Sequence, residues 1–403
     1  MAGFCVLVLG TGLQGRAAIQ DLERAPAIER IIAADREVDA LNDYLRLIGA
    51  RKTVCRRFDA SDQSALRSAV SDPGVALVVN LLPVTFDAAV ARAAIDARKH
   101  VVTTNYAHEL DGLDEPAKRS GITILPEAGF DPGIDLVLAA HAIASFDEVE
   151  SLVSYGSGIP APECRDSNAL NYKISWSFPG ALRTYARPAR LRIAGDETVV
   201  APADIFAPAW VHTVHVEGVG ELEAFPNGDA VGVAESFGMP GSVQHTGRYT
   251  LRWPGHCEFW RRVSRLGLLD DRVSPDLGIS PREFLRRHLE PQLQYGPEER
   301  DLAYLRVEVI GRRQGRREAR RLELLDYRDL STGLLAMNRL VGYPASVVAQ
   351  FILAGTIQHR GVGRAGRHIP PAPFLAELSK KGIRFTERGV DPSDCFVPAR
   401  VSA

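Results

Sequence analysis

Residues 4–15 read FCVLVLGTGLQG, an apolar run that opens into Gly10, Gly12 and Gly15 at GxGxxG spacing. A strand that must turn sharply needs the first glycine, a backbone laid against a pyrophosphate needs the second, and a helix packed tightly on that strand needs the third. The amino end of the helix then faces the phosphate charge. Leu13 and Gln14, inside the same turn, join the glycines as candidates for cofactor binding. The spacing alone also suits a bare βα turn, so its context decides. A helical pattern, RAAIQDLERA, follows, and a second apolar strand, IERIIAAD, ends in Asp35, twenty positions after Gly15. A carboxylate there would hold the adenosine ribose hydroxyls.

Working outward, short apolar strands at 4–10, 29–34, 52–58, 75–81, 99–104 and 121–125 alternate with helical stretches. This βαβ rhythm predicts a doubly wound parallel sheet, an α/β dinucleotide-binding domain over 1–128. NLLPVTF (80–86) falls where the fourth strand ends, which puts Asn80, Leu81, Leu82 and Pro83 beneath the nicotinamide half of the cofactor, while Asp59 is placed to reach the adenine side. From about residue 150 the rhythm changes to strand-like segments such as VESLVSYGSGIP, HTVHVEG and TGRYTLRW. They predict a second α+β domain, 129–332, on a mixed or antiparallel sheet. LAYLRVEVIGRRQGRREARRLELLDY reads as a hairpin with a basic tip, Arg312 to Arg321, taken as a solvated turn. The apolar helix AMNRLVGYPASVVAQFILAG and the polar tail after it are expected to return to the first domain, so 333–403 would complete it.

The chain has 403 residues, 45% of them apolar and 24% charged, with a formal net charge of -2. That composition is ordinary for globular proteins and gives no reason to expect nucleic acid or an anionic membrane as partner. No apolar run approaches the roughly 20 residues needed to span a bilayer, and the first strand follows Met1 directly, so a cytoplasmic location is expected. Five cysteines without CxxC spacing read as free thiols. His212 and His215 alternate along one strand and point to opposite faces, which argues against a metal site. A homodimer is expected from the second domain's sheet.

The segment PEAGFDPGIDLVLAAHAIA (126–144) carries the densest chemistry after the glycine loop. Pro132 suits the first turn of a helix, which makes Asp131 its N-cap and Gly133 a point of close approach. The plain reading is an ordinary helix start; at the carboxyl edge of the sheet the same turn would take a substrate carboxylate on its free N–H groups, and Asp131 would exchange a proton or hold an ammonium. Tyr106, in the loop just after the fifth strand (TTNYAHEL), offers a phenol at the same edge; a packed, singly hydrogen-bonded tyrosine fits the pattern as well. The irregular stretch 154–177 brings Lys173, Ser175, Trp176 and Ser177 together, a set suited to a charged amino-acid substrate, although a tryptophan anchoring the loop is the plainer reading. Arg252, in YTLRWPGHCEF, is a candidate carboxylate clamp.

At GTGLQG, NLLPVTF, GFDPGID, SYGSGIPAPE with NYKISWS, TLRWPGHCEF and STGLLAMNRLVGYPASVVAQFILAGTI the chain resembles the saccharopine dehydrogenase family, which includes saccharopine reductases and lysine 6-dehydrogenases. The resemblance covers essentially the whole chain. It implies oxidation of an amine carbon by a nicotinamide cofactor, giving an imine that water hydrolyses, or the reverse condensation. It places acid–base work on Tyr106 and Asp131; Pro132 and Gly133, in the turn that follows Asp131, and Asn227 of FPNGD are candidate substrate contacts. Two positions depart from the saccharopine branch: Gly228 in FPNGD stands where that branch has the Arg of YPNRD, and Gly156 stands where it has Cys. A substrate with one fewer carboxylate, or a different second amine, is therefore expected. Asp35 disfavours a 2′-phosphate by repulsion and points to NAD, while Arg36 beside it leaves NADP open. The alternatives to a saccharopine-like substrate are free lysine, and a non-catalytic nucleotide sensor.

Overall fold

The computed structural model describes residues 3–239, 243–276 and 278–399. It divides into two compact units: 1–140 with 337–383, and 141–336 with 384–403.

In the first unit, β1 (Phe4–Leu9), β2 (Ile28–Asp35), β3 (Thr53–Arg57), β4 (Val75–Asn80), β5 (His100–Thr103), β6 (Thr123–Leu125) and a short β15 (Gly361–Val362) form one sheet in the order β15-β6-β5-β4-β1-β2-β3. All of its pairings are parallel. The strands read as apolar runs because both faces are covered: Val6, Leu7, Val8 and Leu9 of β1 are fully buried. Strand order reverses direction between β1 and β4, and the loops leaving the carboxyl ends of the strands at such a point form a crevice. That edge is where the glycine turn and the loops after β4, β5 and β6 all emerge.

The helix Leu13–Arg24 that follows the glycine turn is fixed from behind by the long apolar helix Ala336–Leu353. Gly342 of the latter lets the two backbones meet: a Cβ there would lie 2.5 Å from the Gln14 carbonyl oxygen. Around this contact Tyr343 donates to Gln20 (2.6 Å), Ser346 donates to Asp21 (2.7 Å), and Lys381 pairs with Asp21 at 2.7 Å. The first unit takes in this helix from Met337 onward.

In the second unit, β7 (Glu148–Pro160), β8 (Ala189–Ile193), β9 (Asp196–Val200), β10 (His212–Val216), β11 (Gly220–Pro226), β12 (His245–Arg252), β13 (Asp301–Arg313), β14 (Arg316–Tyr327) and β16 (Phe385–Val390) build a mixed sheet, with the path β10-β11-β12-β7-β13-β14-β16 and β8-β9 branching from β12. Its core gathers Tyr155, Tyr185, Phe206, Phe225 and Trp260. Two expectations are corrected here. The tail does not complete the first unit, because Phe385–Val390 hydrogen-bonds antiparallel to β14. The basic hairpin is not a solvated turn along its length. Only Gln314 and Gly315 make the tip, and the arginines below it sit in paired strands, with Arg321 on Glu308 (2.7 Å), Arg320 on Glu387 (2.6 Å) and Arg317 on Glu150 (2.7 Å). The domain boundary expected at 128/129 also shifts, since 129–140 stay with the first unit.

Asp21 is 4% exposed at its side chain and answers the Lys381 ammonium, so removing it leaves a poorly solvated cation behind. Asp21→Ala is expected to lower unfolding free energy by about 3 kcal/mol, measured by chemical denaturation; a loss below about 0.5 kcal/mol, the range of ordinary surface substitutions, would contradict this role.

Candidate active site

The glycine turn has the geometry a dinucleotide requires. Gly10 has φ +86, and a Cβ on it would lie 2.8 Å from the Leu81 carbonyl, while a Cβ on Gly15 would lie 2.2 Å from the Gly10 oxygen. Strand, turn and helix therefore touch through backbone alone. Gly12 differs from both, since a Cβ there meets nothing within 4 Å. It is the N-cap of the helix Leu13–Arg24, with no side-chain cap and no acid in the first turn. Open space in front of uncapped N–H groups fits a pyrophosphate, which would be held by Gly12, Leu13, Gln14 and Gly15.

Asp35 ends β2 as expected, but its carboxylate is engaged by the protein. Oδ2 accepts from the Thr11 N–H (2.6 Å) and hydroxyl (3.2 Å), and Oδ1 accepts from the Glu37 N–H (3.2 Å). It braces the glycine turn, with the exposed Arg36 beside it. Asp59 accepts from the Ser61 N–H and hydroxyl, which hold its carboxyl below the usual range, with Arg36 adding to the effect.

The loop after β4 is organised by a residue the sequence reading passed over. Asp87 is 2% exposed. Its Oδ1 accepts from Asn80 (2.7 Å), Asn105 (3.1 Å) and the Thr103 hydroxyl (3.2 Å), tying the ends of β4 and β5 together. Asn80 in turn accepts from the Leu82 N–H (3.3 Å), which shapes Leu81, Leu82 and Pro83. Burial pushes the Asp87 carboxyl up to about 7, against the three donors that lower it. The overlooked signal was its place: an acid seven positions past the strand-end Asn80, in the first turn of the helix Asp87–Ala97.

Beyond β6 the chain makes a tight loop. Gly129 N–H donates to the Pro132 carbonyl (3.1 Å) and Ile134 N–H to the Gly129 carbonyl (3.0 Å). A Cβ on Gly133 would lie 2.0 Å from the Gly129 oxygen. The helix begins at Ile134, so Asp131 lies too early to be its N-cap, which corrects the expectation. The carboxyl that takes the free N–H here is Asp135, accepting from Gly133 at 2.7 Å, and burial pushes it up to about 7. Asp131 is left half-buried on the loop, two residues from Gly129, which packs on Thr104: a Cβ on Gly129 would lie 3.2 Å from the Thr104 Cβ. Tyr106, also half-buried, is two residues beyond Thr104. The loops of Tyr106 and Asp131 thus adjoin at the same sheet edge as the glycine turn.

In the second unit the expected substrate residues separate into two kinds. Lys173 is taken by the protein, donating to both Glu299 oxygens (2.6 and 2.7 Å) and to the Gln294 carbonyl (3.1 Å); three donors are matched by three acceptors, which corrects its assignment as a substrate cation. Ser177 caps the helix Phe178–Thr184 by accepting from Gly180 (3.1 Å), and Trp176 packs on that glycine, so both act on the loop's shape. Ser175 is fully buried. Asn227 bridges Arg187 and Thr250. Arg252 is 5% exposed, donates to the Leu251 carbonyl (2.8 Å), and lies over the Tyr172 ring at 5.2 Å, with no carboxylate paired to it among the described residues. A buried guanidinium without an anion is costly, which makes it the strongest candidate for a substrate carboxylate. His212 stacks on Phe396 with 3.7 Å between ring centres, and burial pushes it down to about 4. Among the described residues no three His, Cys, Asp or Glu side chains gather as metal ligands.

Two expectations follow. Gly12→Ala should leave stability within about 0.5 kcal/mol, as for a glycine-to-alanine change at an N-cap, yet weaken dinucleotide binding at least tenfold; equal affinity by calorimetric titration would remove the phosphate from this turn. Asp87 and Asp135 keep their protons when folded well above the pH at which they lose them unfolded, so their stabilising contribution is full below about pH 4 and declines as pH rises toward 7. Asp87→Asn should flatten the fall of unfolding temperature across that interval; an unchanged slope would contradict the assignment.

Comparison with known proteins agrees with this arrangement. The family model described as "Saccharopine dehydrogenase NADP binding domain" matches residues 6–125, and "Saccharopine dehydrogenase C-terminal domain" matches 129–383. Saccharopine dehydrogenase [NADP(+), L-glutamate-forming] of Pyricularia oryzae is 30% identical over 97% of this chain and all of that protein. Mitochondrial alpha-aminoadipic semialdehyde synthase of Bos taurus is 28% identical over 94% of this chain, which spans 47% of that longer protein. Among solved structures, the apo saccharopine dehydrogenase (L-Glu forming) of Saccharomyces cerevisiae superposes with a TM-score of 0.82 at 26% identity, covering 96% of this chain and all of that one. With glycine turn, mixed second sheet and matched segments all in agreement, the chain belongs to the saccharopine dehydrogenase family.

Proposed function

We propose that this oxidoreductase of the saccharopine dehydrogenase type breaks the C–N bond of a saccharopine-like secondary amine, with NADP as its cofactor. The observation that carries the reading is the convergence, on one edge of the parallel sheet, of the open Gly12 turn, the Asp87-braced loop Asn80–Pro83, and the adjoining loops of Tyr106 and Asp131. When bound, the dinucleotide supplies hydride chemistry. The protein's part is to orient the amine carbon, exclude water until it is needed, and move protons.

Oxidation removes a hydride from the amine carbon and a proton from nitrogen, leaving an imine; water then adds to the carbon, and collapse of that adduct breaks the C–N bond to release an amine and a carbonyl compound. A proton must leave the nitrogen first and return to it at cleavage. Asp131 on its half-exposed loop serves as the group that takes and returns it, and the Tyr106 phenol relays it. Pro132 and Gly133 hold the Asp131 loop closed on Gly129 and present it to substrate. Arg252 receives a substrate carboxylate as a charged, bidentate donor.

NADP replaces the NAD expected from Asp35. Repulsion of a 2′-phosphate needs a carboxylate free to meet it, whereas Asp35 spends its oxygens on Thr11 and Glu37, and Arg36 is the exposed charge beside it. The Pyricularia and bovine relatives are named for saccharopine and semialdehyde chemistry rather than for free lysine, which sets the secondary amine ahead of that alternative.

Asp131→Asn should lower kcat by about 10²–10⁴, the usual worth of a positioned acid–base group, with KM changed by less than about threefold; full turnover in steady-state assays removes Asp131 from the mechanism. Initial rates should give a higher kcat/KM with NADP than with NAD, and Arg36→Ala should erase most of that preference. A preference for NAD in the parent protein overturns the cofactor assignment.

A further inference from the structure

Glu127 precedes Asp131 on the segment that leaves β6, with no role in the chemistry above. Its backbone is held at φ +62, a left-handed conformation that is unfavourable for a residue with a long side chain and persists only where the surroundings enforce it. Two sets of contacts do so. Along the backbone, the Glu127 N–H donates to the Asn105 carbonyl (2.8 Å) and the Ala128 N–H to the Thr103 carbonyl (3.0 Å), which fastens the segment to the strand end and loop that carry Tyr106. At the side chain, which belongs to a residue only 8% exposed, Oε2 accepts from the Ala365 N–H at 3.2 Å. Ala365 opens the short helix Ala365–His368, so its N–H is one that the helix itself leaves without an acceptor.

The far end of this tether is itself fixed. Gly361 and Gly363 donate to the Ile122 and Ile124 carbonyls at 2.8 Å, which pairs β15 with β6. The Val362 N–H donates to Asp114 (2.9 Å), and Arg364 pairs with Asp111. The Glu127 carboxyl thus ties the chain entering the Asp131 turn to an anchored segment 238 residues further on. On the other side of the turn, Asp135 accepts from the Gly133 N–H (2.7 Å). Burial pushes the Asp135 carboxyl up to about 7, and the nearby Glu127 carboxyl adds to that push, so the two acids bracket the loop that presents Asp131.

We infer that Glu127 is a positioning residue: its carboxyl, held by the Ala365 N–H, keeps the turn 129–133 in the placement that brings Asp131 to the amine nitrogen. This rests on the reaction proposed above and deepens it. Glu127 itself neither takes nor returns a proton. Through it β15 and the short helix after it, at the edge of the parallel sheet, set the geometry of the proton-moving turn.

The test uses the full chain and two substitutions that cut the tether from opposite ends. Glu127→Gly removes the carboxyl and accepts φ +62 without strain, while Ala365→Pro removes the N–H at a helix position where proline fits. Each should lower kcat for saccharopine with NADP about 10- to 100-fold, the cost of a misplaced catalytic group, with the KM for saccharopine changed by less than about threefold. Amide hydrogen exchange should quicken about tenfold or more at Gly129 and Ile134, whose N–H groups close the turn. Glu127→Gln, which keeps an oxygen for the Ala365 N–H, should regain most of the kcat and the slow exchange. A residue of purely structural worth would behave otherwise: Glu127→Gly, relieved of backbone strain, would match the parent in kcat and in exchange, and that result overturns the inference. Faster exchange with parent kcat overturns it as well, and so does a Glu127→Gln protein as slow as Glu127→Gly. Should one of the two tether variants not fold, the other decides by the same readouts. If the parent chain does not oxidise saccharopine, the proposed reaction falls, and the exchange difference alone decides for or against the tether.

Discussion

The contact on which the first unit's chemistry depends is made by backbone: the helix Leu13–Arg24 approaches β1 so closely that a Cβ on Gly15 would lie 2.2 Å from the Gly10 oxygen. That approach puts the free N–H groups of the helix at the carboxyl edge of the sheet. Everything around it holds the approach in place. Asp35 clamps Thr11 from the neighbouring strand, Leu81 closes over Gly10, and Gly342 lets a second long helix press on the first from behind. Because these supports are short hydrogen bonds and van der Waals contacts, the turn is formed before any phosphate arrives, and little ordering cost is left for binding.

Buried charge is arranged differently in the two units. At the carboxyl edge of the parallel sheet, Asp87 and Asp135 are acids held by N–H and O–H donors, and burial raises both toward neutrality. They act as braces, sharing strand ends and loop N–H groups. In the second unit the mixed sheet carries cross-strand pairs, such as Arg306 with Glu323 (2.9 Å) and Arg321 with Glu308 (2.7 Å), which neutralise one another where they are buried. Against that background, Arg252 is a buried cation with no carboxylate paired to it among the described residues. Asking which buried charges the protein answers by itself separates scaffold from binding surface more sharply than residue type does: Lys173 looks like a substrate cation until Glu299 is seen to occupy it.

Much of this was legible in the sequence. The parallel sheet followed from apolar runs alternating with helical stretches, and the glycine turn followed from spacing in a strand–helix context. What escaped had a physical cause in each case. The tail reads as polar because β16 is an edge strand whose outward positions are charged, so no apolar alternation announces its pairing with β14. Asp131 looks like a helix cap because Asp before Pro is one in most places, but Gly133, at φ +148, delays the helix to Ile134. Asp87 works through Asn80, Thr103 and Asn105 on two strand ends, while its place in the first turn of a helix reads as an ordinary N-terminal acid. Asp35 was found in its expected position, yet its partner was the glycine turn itself, which changed the cofactor it argues for.

The account's central claim is that cofactor and proton-moving groups share one sheet edge, and a crystal structure of the protein with bound NADPH tests it most directly. The account expects the pyrophosphate on the N–H groups of Gly12 to Gly15 and the nicotinamide ring over Asn80–Pro83, facing the loop that carries Asp131. A ring turned away from that loop, or a pyrophosphate bound elsewhere, would contradict it.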